Sequence, residues 1–330
     1  MSVLLDIKGL RTVFDTRAGA VWAVDGVDVQ LMRGECLGIV GESGSGKSVT
    51  FASVMGLVKS PGRVAEGRIV FDGRDLRALT PDQMRAVRGK EIAMTMQDAL
   101  TALNPALTVG EQIAEVLEAH DDTLPPRGRA RSRAIRDRSV EMLGLVGIPA
   151  PDSRLRQYPH EFSGGMRQRI MIAIALACGP KLLIADEPTT ALDVTIQAQV
   201  LELISDIRKR MGMSVALITH DLGVVAEHCD RVMVMYAGQV VEQGPTAQVI
   251  GEPRHPYTRG LLGSIPRLSM RGQPITPIEG QVPDLIGLPP QCRFHSRCPV
   301  RSDACLAPIA MRAAGPGRSA RCIHVHEVAP

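Results

Sequence analysis

Hydrophobic residues along the chain fall into two recurring patterns. Short apolar runs, nearly unbroken, occupy Cys36–Val40, Ile69–Phe71, Ile92–Met96, Leu182–Ala185 and Val215–Thr219. Longer stretches with apolar positions at helical spacing occupy Lys47–Leu57, Val109–His120, Arg129–Leu145, Gly165–Ala177 and Thr195–Arg210. Continuous apolar runs read as strands buried on both faces, and strands alternating with helices predict an α/β core with a mostly parallel sheet. Val21–Leu31 and Val232–Gln243 alternate apolar and polar residues in hairpin-like settings, so antiparallel strands are expected to flank the core. No internal repeat is visible. The longest apolar run, Ile170–Cys178, is nine residues, short of the roughly 20 that a membrane-spanning helix needs.

Composition excludes several classes. The 330 residues are 45% hydrophobic and 22% charged, which fits a globular chain and not a disordered, collagen-like or coiled-coil one. A net charge of +3 is too small to argue for nucleic acid. Six Arg within Pro125–Arg138 form a local basic run, but no aromatic residue interrupts it, and a solvated helix face is the expected reading. The first residues, MSVLLDIKGL, lack a basic stretch followed by an apolar core, so no signal peptide is expected. The seven Cys are then read in a reducing compartment, as buried thiols or metal ligands. Composition changes near residue 255. Residues 256–330 hold 11 of the 23 Pro, nine Arg, no Lys, four acids and four of the seven Cys. Two domains are expected, 1–255 and 256–330.

Gly41-Glu42-Ser43-Gly44-Ser45-Gly46-Lys47-Ser48 fits G-x-x-x-x-G-K-[ST], preceded by the apolar run CLGIV and followed by a helical pattern through Val49. Glycines let the backbone wrap a polyphosphate, and bare N–H groups with a helix N-terminus face its oxygens. Lys47 would reach the β- and γ-phosphates and Ser48 would bind Mg²⁺. The motif implies a nucleoside triphosphate and no more.

Two further strands end in candidate chemistry. Leu182–Ala185 runs into Asp186 and Glu187. Ligand chemistry in open α/β sheets sits at the carboxyl ends of strands, which places Asp186 to hold Mg²⁺ and Glu187 to polarise an attacking water. Ser214–Thr219 runs into His220, whose imidazole would bond the γ-phosphate and sense its loss. Gln97 closes the run EIAMTMQ; its amide could coordinate Mg²⁺ and orient water together.

Phe162-Ser163-Gly164-Gly165-Met166-Arg167-Gln168-Arg169 completes the set. With the loop at 41–48, Gln97, Asp186-Glu187, Ala191-Leu192-Asp193 and His220, it resembles the ABC-type ATPases over residues 1–250. The resemblance implies an α/β P-loop ATPase domain of RecA-like core, antiparallel β subdomain and helical subdomain (about 95–165), with a small Pro- and Cys-rich extension. It implies a head-to-tail dimer in which Ser163, Gly164, Gly165 and Met166 meet the γ-phosphate held by the partner's loop, and Asp193 couples the two sites. SGG opens a helix and so offers a second helix N-terminus to an anion. Met166 stands where many relatives have Gln, and Thr190 where Ser is commoner. ABC proteins stack adenine on an aromatic residue upstream of the loop: Phe14 is the first choice and Trp22 the alternative.

TALNPALTVGEQI (101–113), FSGGMRQR and His255-Pro256-Tyr257-Thr258 with Leu261-Leu262 resemble the di- and oligopeptide permease branch. That resemblance implies ATP with Mg²⁺, a second ATPase chain, two integral membrane permease subunits and an extracytoplasmic binding protein. It implies residence at the cytoplasmic face of the membrane, without nucleic acid. Nickel, glutathione, opines and oligosaccharides are alternative cargoes of the branch; a soluble ABC ATPase and an ATP-coupled redox sensor are the rival functions. The tail is expected to pack on the ATPase domain. Cys292, Cys298, Cys305 and Cys322 form C-x5-C-x6-C-x16-C, unlike the C-x2-C of zinc ribbons. Four thiolates suit a [4Fe–4S] cluster, as some peptide-permease ATPases hold, with Arg293, Arg297, Arg301 and Arg321 offsetting its charge. The alternatives are zinc, with His295, His324 or His326, and plain reduced thiols.

Overall fold

A computed structural model describes residues 2–96, 102–189, 192–264 and 277–325. The chain divides into two compact units, Met1–Arg77 with Leu217–Pro330, and Ala78–Ala216. The strands are β1 (Val3–Thr16), β2 (Gly19–Met32), β3 (Cys36–Val40), β4 (Gly62–Phe71), β5 (Arg74–Asp75), β6 (Ile92–Thr95), β7 (Leu182–Asp186), β8 (Ser214–Thr219), β9 (Arg231–Tyr236), β10 (Gln239–Pro245), β11 (Arg312–Gly315) and β12 (Arg318–Ala320). The division falls within β8.

The first unit carries an antiparallel sheet of order β2-β1-β4-β5 and the run β11-β12-β10-β9-β3-β8 of a second sheet. In the latter, β3 is parallel to β9, with Val40 opposite Val234. Antiparallel pairs then extend it outward through β10, β12 and β11. The expected flanking strands are thus β2 and the β9–β10 hairpin. The turn of that hairpin, Ala237-Gly238, has positive φ at both residues, 48° and 83°, the geometry that matches the right-handed twist of the strands it joins. The cysteine-rich tail supplies β11 and β12, with Glu242 opposite Ala320.

No expectation covered β1, the joint longest strand. Its buried residues, Leu4, Leu5, Ile7, Leu10, Thr12 and Val13, do not keep a strict period of two. The register shifts between Ile7 and Leu10, where Gly9 at φ 58° donates its N–H to Asp28 Oδ1 at 2.6 Å. A bulge of this kind moves the alternation to the other face and hides the strand from periodicity.

The second unit carries β6 and β7 in parallel, with Thr95 opposite Ala185, and β8 beside β7. All five residues of β7 are buried, as the unbroken apolar run predicts. Helices Val109–His120 and Arg129–Leu145 begin and end where the pattern places them, and both pack on Gly164–Leu176. Thr108 and Glu111 cap the first helix reciprocally. The arginine-rich helix pairs its cations with acids: Arg133 with Asp137, Arg136 with Asp152 and Arg138 with Glu141. That is the solvated face expected of it.

Candidate nucleotide-binding site

The loop 41–48 joins β3 to the helix Lys47–Val54 in the first unit. Gly46 caps the helix in the left-handed region at φ 97°. A Cβ there would collide with the Ala23 carbonyl oxygen, and one on Gly41 with that of Met235. Both positions need glycine because backbone from β2 and β9 presses on the loop. The Ser45 carbonyl accepts the Gly238 N–H at 3.0 Å, and the Gly238 carbonyl accepts the Asp25 N–H at 2.8 Å. The hairpin turn is thus a seat for the loop. Lys47 is buried, its Nζ donating to the Gly41 and Glu42 carbonyls at 2.7 and 3.0 Å. Ser43, Gly44 and Ser48 are exposed and Val49 is half-buried. The buried Ser45 hydroxyl has no hydrogen-bond partner among the described residues. A buried polar atom without a partner is costly unless a ligand or water completes it. The cradle therefore fits an anionic ligand. His220 lies in the same unit, exposed directly after β8, the neighbour of β3.

In the second unit β7 ends in Asp186, which is buried. Glu187 follows at φ 45°, a backbone region that costs a non-glycine residue roughly 1–2 kcal/mol. Strain at an acid on the carboxyl edge of a parallel strand is a mark of a functional position. β6 ends on the same edge as β7; Gln97, expected there, lies outside the described residues, as does Ala191.

Ser163 caps Gly164–Leu176, its hydroxyl accepting the Met166 N–H at 3.4 Å. Ser163 and Gly164 are exposed. Asp193 caps Val194–Met211 by accepting the Ile196 N–H at 3.0 Å. The two helix starts adjoin: a Cβ on Gly165 would lie 2.6 Å from Ile196 Cγ2, and one on Gly164 3.7 Å from Leu192 Cδ2. Gly165 is fixed by that close approach, independently of any ligand.

Both candidate aromatics are half-buried. Phe14 faces Val21 and Gly62, with its ring 2.5 Å from where a Gly62 Cβ would sit. Trp22 lines a cleft of ≈ 440 Å³ with Arg11, Asp25, Arg293 and Pro289.

The tail contacts differ from expectation. Arg293 bonds Asp25 and the Ala237 carbonyl, and Arg297 grips Glu42 through both guanidinium nitrogens, at 2.8 and 3.0 Å. These two arginines are committed to Asp25, Glu42 and backbone carbonyls rather than to the thiols. Burial pushes the Cys292 thiol up to about 11 and raises those of Cys298 and Cys322, so the free thiols are protonated at neutral pH. The four sulfurs sit close enough to perturb one another electrostatically. Among the described residues, however, no group of three or more His, Cys, Asp or Glu is arranged to hold a metal ion. The donor types suit a cluster; their arrangement does not support one.

The family model of the ABC transporter matches residues 24–190. The dipeptide transport ATP-binding protein DppD of Bacillus subtilis is 53% identical over 306 residues, covering 92% of this chain and 89% of that one. The chain belongs to the ABC transporter family. It is an ABC-type ATPase, and ATP with Mg²⁺ fits its phosphate loop. A second model, the oligopeptide/dipeptide transporter C-terminal region, matches residues 241–305. OppD of the same organism, an oligopeptide transport ATP-binding protein, is 54% identical and covers 89% of this chain and 81% of its own length. Among solved structures, CbiO1 of Clostridium perfringens, part of an ABC transporter complex, superposes with a TM-score of 0.64 at 28% identity, over 76% of this chain and 92% of that one. The dimeric cassette MJ0796, bound to ADP and Pi, gives 0.64 at 25% over 74% and 99%.

Sequence reasoning found the loop of this ATPase but not what holds it. The Tyr257 hydroxyl accepts the Glu42 N–H at 2.9 Å, and Tyr257 belongs to the HPYT motif noticed only as a resemblance. His255 of that motif accepts the Tyr257 N–H on Nδ1 at 3.1 Å, capping Pro256–Gly263. No local signal ties residue 257 or 297 to residue 42.

Proposed function

We propose that this ATPase energises the import of di- or oligopeptides. The observation that carries the reading is the likeness to peptide-transport ATP-binding proteins over 92% of the chain, continued into the C-terminal region by a second family match. Lys47 and the N–H groups of residues 41–48 hold the triphosphate. Ser48, Asp186 and Gln97 hold Mg²⁺, which supplies charge neutralisation on the phosphates when bound. Glu187 polarises the attacking water and His220 bonds the γ-phosphate. Ser163, Gly164, Gly165 and Met166 meet the γ-phosphate bound to a second ATPase chain, and Asp193 lies at that junction. Phe14 stacks on adenine.

The permease partners are two integral membrane subunits served by an extracytoplasmic binding protein, and this chain docks on the cytoplasmic face. No described helix is long and apolar enough to cross a membrane. A [4Fe–4S] cluster on Cys292, Cys298, Cys305 and Cys322 is supported by residue type alone; iron and sulfide analysis of anaerobically purified protein decides it.

The test is reconstitution with the permease and binding protein in vesicles. Labelled dipeptide accumulates when ATP is on the side of this chain, and Glu187→Gln abolishes accumulation while leaving ATP binding. Uptake of nickel or glutathione instead, with dipeptide ignored, overturns the cargo. Uptake undiminished by Glu187→Gln removes that residue from its role.

A further inference from the structure

An ATP cradle should not hold an unneutralised carboxylate. Glu42 is the second residue of the loop that receives a polyanion, and its acid is of the wrong sign for that position. The structure supplies a counter-ion from far along the chain. Arg297 donates to both Glu42 oxygens, at 2.8 and 3.0 Å, a two-bond pairing that fixes direction as well as charge. The guanidinium is itself held from every side. It donates to the Ile278 and Glu279 carbonyls at 3.2 and 3.0 Å and to the Tyr236 hydroxyl at 3.3 Å, and it lies 5.7 Å from the Tyr236 ring centre. Only 4% of its side chain is exposed, against 30% of that of Glu42. The backbone of the same loop residue is tied separately, through the Tyr257 hydroxyl. Meanwhile Lys47 Nζ lies against the Glu42 carbonyl at 3.0 Å. A Glu42 side chain released from Arg297 would leave its negative charge uncompensated on the loop that receives the phosphates, beside the lysine that serves them.

We propose that Arg297 is a positioning residue for ATP binding: from the cysteine-rich extension it neutralises Glu42 and holds it away from Lys47, keeping the phosphate loop cationic for its substrate. The extension is thus part of the nucleotide site's electrostatics, and not merely a cover on the sheet edge. The proposal rests on residues 41–48 binding the triphosphate.

The test measures the ATP dissociation constant of the full chain by equilibrium dialysis in EDTA, which prevents hydrolysis. Arg297→Gln raises the constant about 10-fold, or ~1.4 kcal/mol. Arg297→Lys, which keeps the charge but loses the fork, gives an increase of about threefold. In the double variant Glu42→Gln, Arg297→Gln the affinity returns to within about twofold of the parent, because the carboxylate that Arg297 neutralises is gone. A purely structural role moves the unfolding midpoint without that rescue. Unchanged affinity in Arg297→Gln overturns the proposal. So does a double variant as weak as the single one. If Arg297→Gln does not fold, Arg297→Lys binding as tightly as the parent overturns it equally. Lys47→Ala is the separate control: if it binds ATP normally, the loop assignment fails and not the role of Arg297.

Discussion

The phosphate loop and the C-terminal extension meet at one residue, Glu42, yet they are built on opposite principles. The loop is backbone chemistry. Its glycines at 41 and 46 are dictated by carbonyl oxygens of Met235 and Ala23 pressing in from two strands, and its ligand would be met by N–H groups. The extension is side-chain chemistry. Arg293, Arg297, Arg318 and Arg321 each reach out of the extension, to Asp25, Glu42, Glu242 and the Val240 carbonyl. Backbone sites have fixed spacing and so can be read from eight consecutive letters. Long-range ion pairs have none, because nothing local to residue 297 encodes residue 42. The difference also separates function from stability: the loop should carry chemistry at little structural cost, and the extension, Arg297 apart, should carry stability.

The largest effect is expected at the loop. Lys47→Ala should lower ATP turnover by on the order of 100-fold, the scale of losing one preorganised cation or donor at a phosphoryl site. The urea unfolding curve should be nearly unmoved. A variant that unfolds in step with its loss of activity would break the separation.

The extension should behave in reverse. Glu242 is fully buried and accepts the N–H groups of Arg254 and His255, both at 2.9 Å, besides the Arg318 guanidinium at 2.7 Å. Arg318→Leu leaves that carboxylate buried without its cation, which costs about 3–5 kcal/mol. Equilibrium unfolding measures the loss. An unchanged midpoint would mean that the extension is not anchored through this pair.

A pH dependence sharpens the contrast further. His255 is wholly buried, and desolvation, helped by Arg321, pulls its pKa down from 6.5 to about 3. The folded chain keeps the ring neutral while the unfolded chain takes up a proton below pH 6.5. Its contribution is therefore complete above pH 6.5 and is lost as pH falls toward 3, at about 1.4 kcal/mol per pH unit. His255→Asn keeps an acceptor for the Tyr257 N–H but does not titrate. Unfolding at pH 7, 6 and 5 should show a shallower loss for the variant; parallel curves would remove His255 as the cause.

Legibility from sequence followed the same divide. Helices 109–120 and 129–145 were readable to the residue from the spacing of their apolar positions, and in the first a Thr108–Glu111 cap fixes the start. The strands feeding the loop and Asp186 were readable because burial on both faces leaves no polar interruption. β1 was not, since the bulge at Gly9 breaks its alternation. The tail hairpin was not, since β11 and β12 are short and the hairpin joins the sheet only through β12 on β10, more than 60 residues away. The strain at Glu187 was invisible too, for no composition signal marks a left-handed acid. The cysteines illustrate the limit from the other side. Four thiols spaced C-x5-C-x6-C-x16-C suggested a metal, but spacing does not set how the sulfurs are arranged, and Arg293 and Arg297 reach Asp25 and Glu42.

The proposed function centres on a nucleotide site that a second chain would complete, with Lys47 on one side of the triphosphate and the second chain's Ser163 on the other. The direct measurement is ATP turnover per chain in two fractions separated by size, strictly monomeric chain and the assembled transporter. The account predicts that the monomer binds ATP but hydrolyses it on the order of 100-fold more slowly, because the second set of γ-phosphate donors is missing. A monomer that turns over ATP at the assembled rate would contradict it.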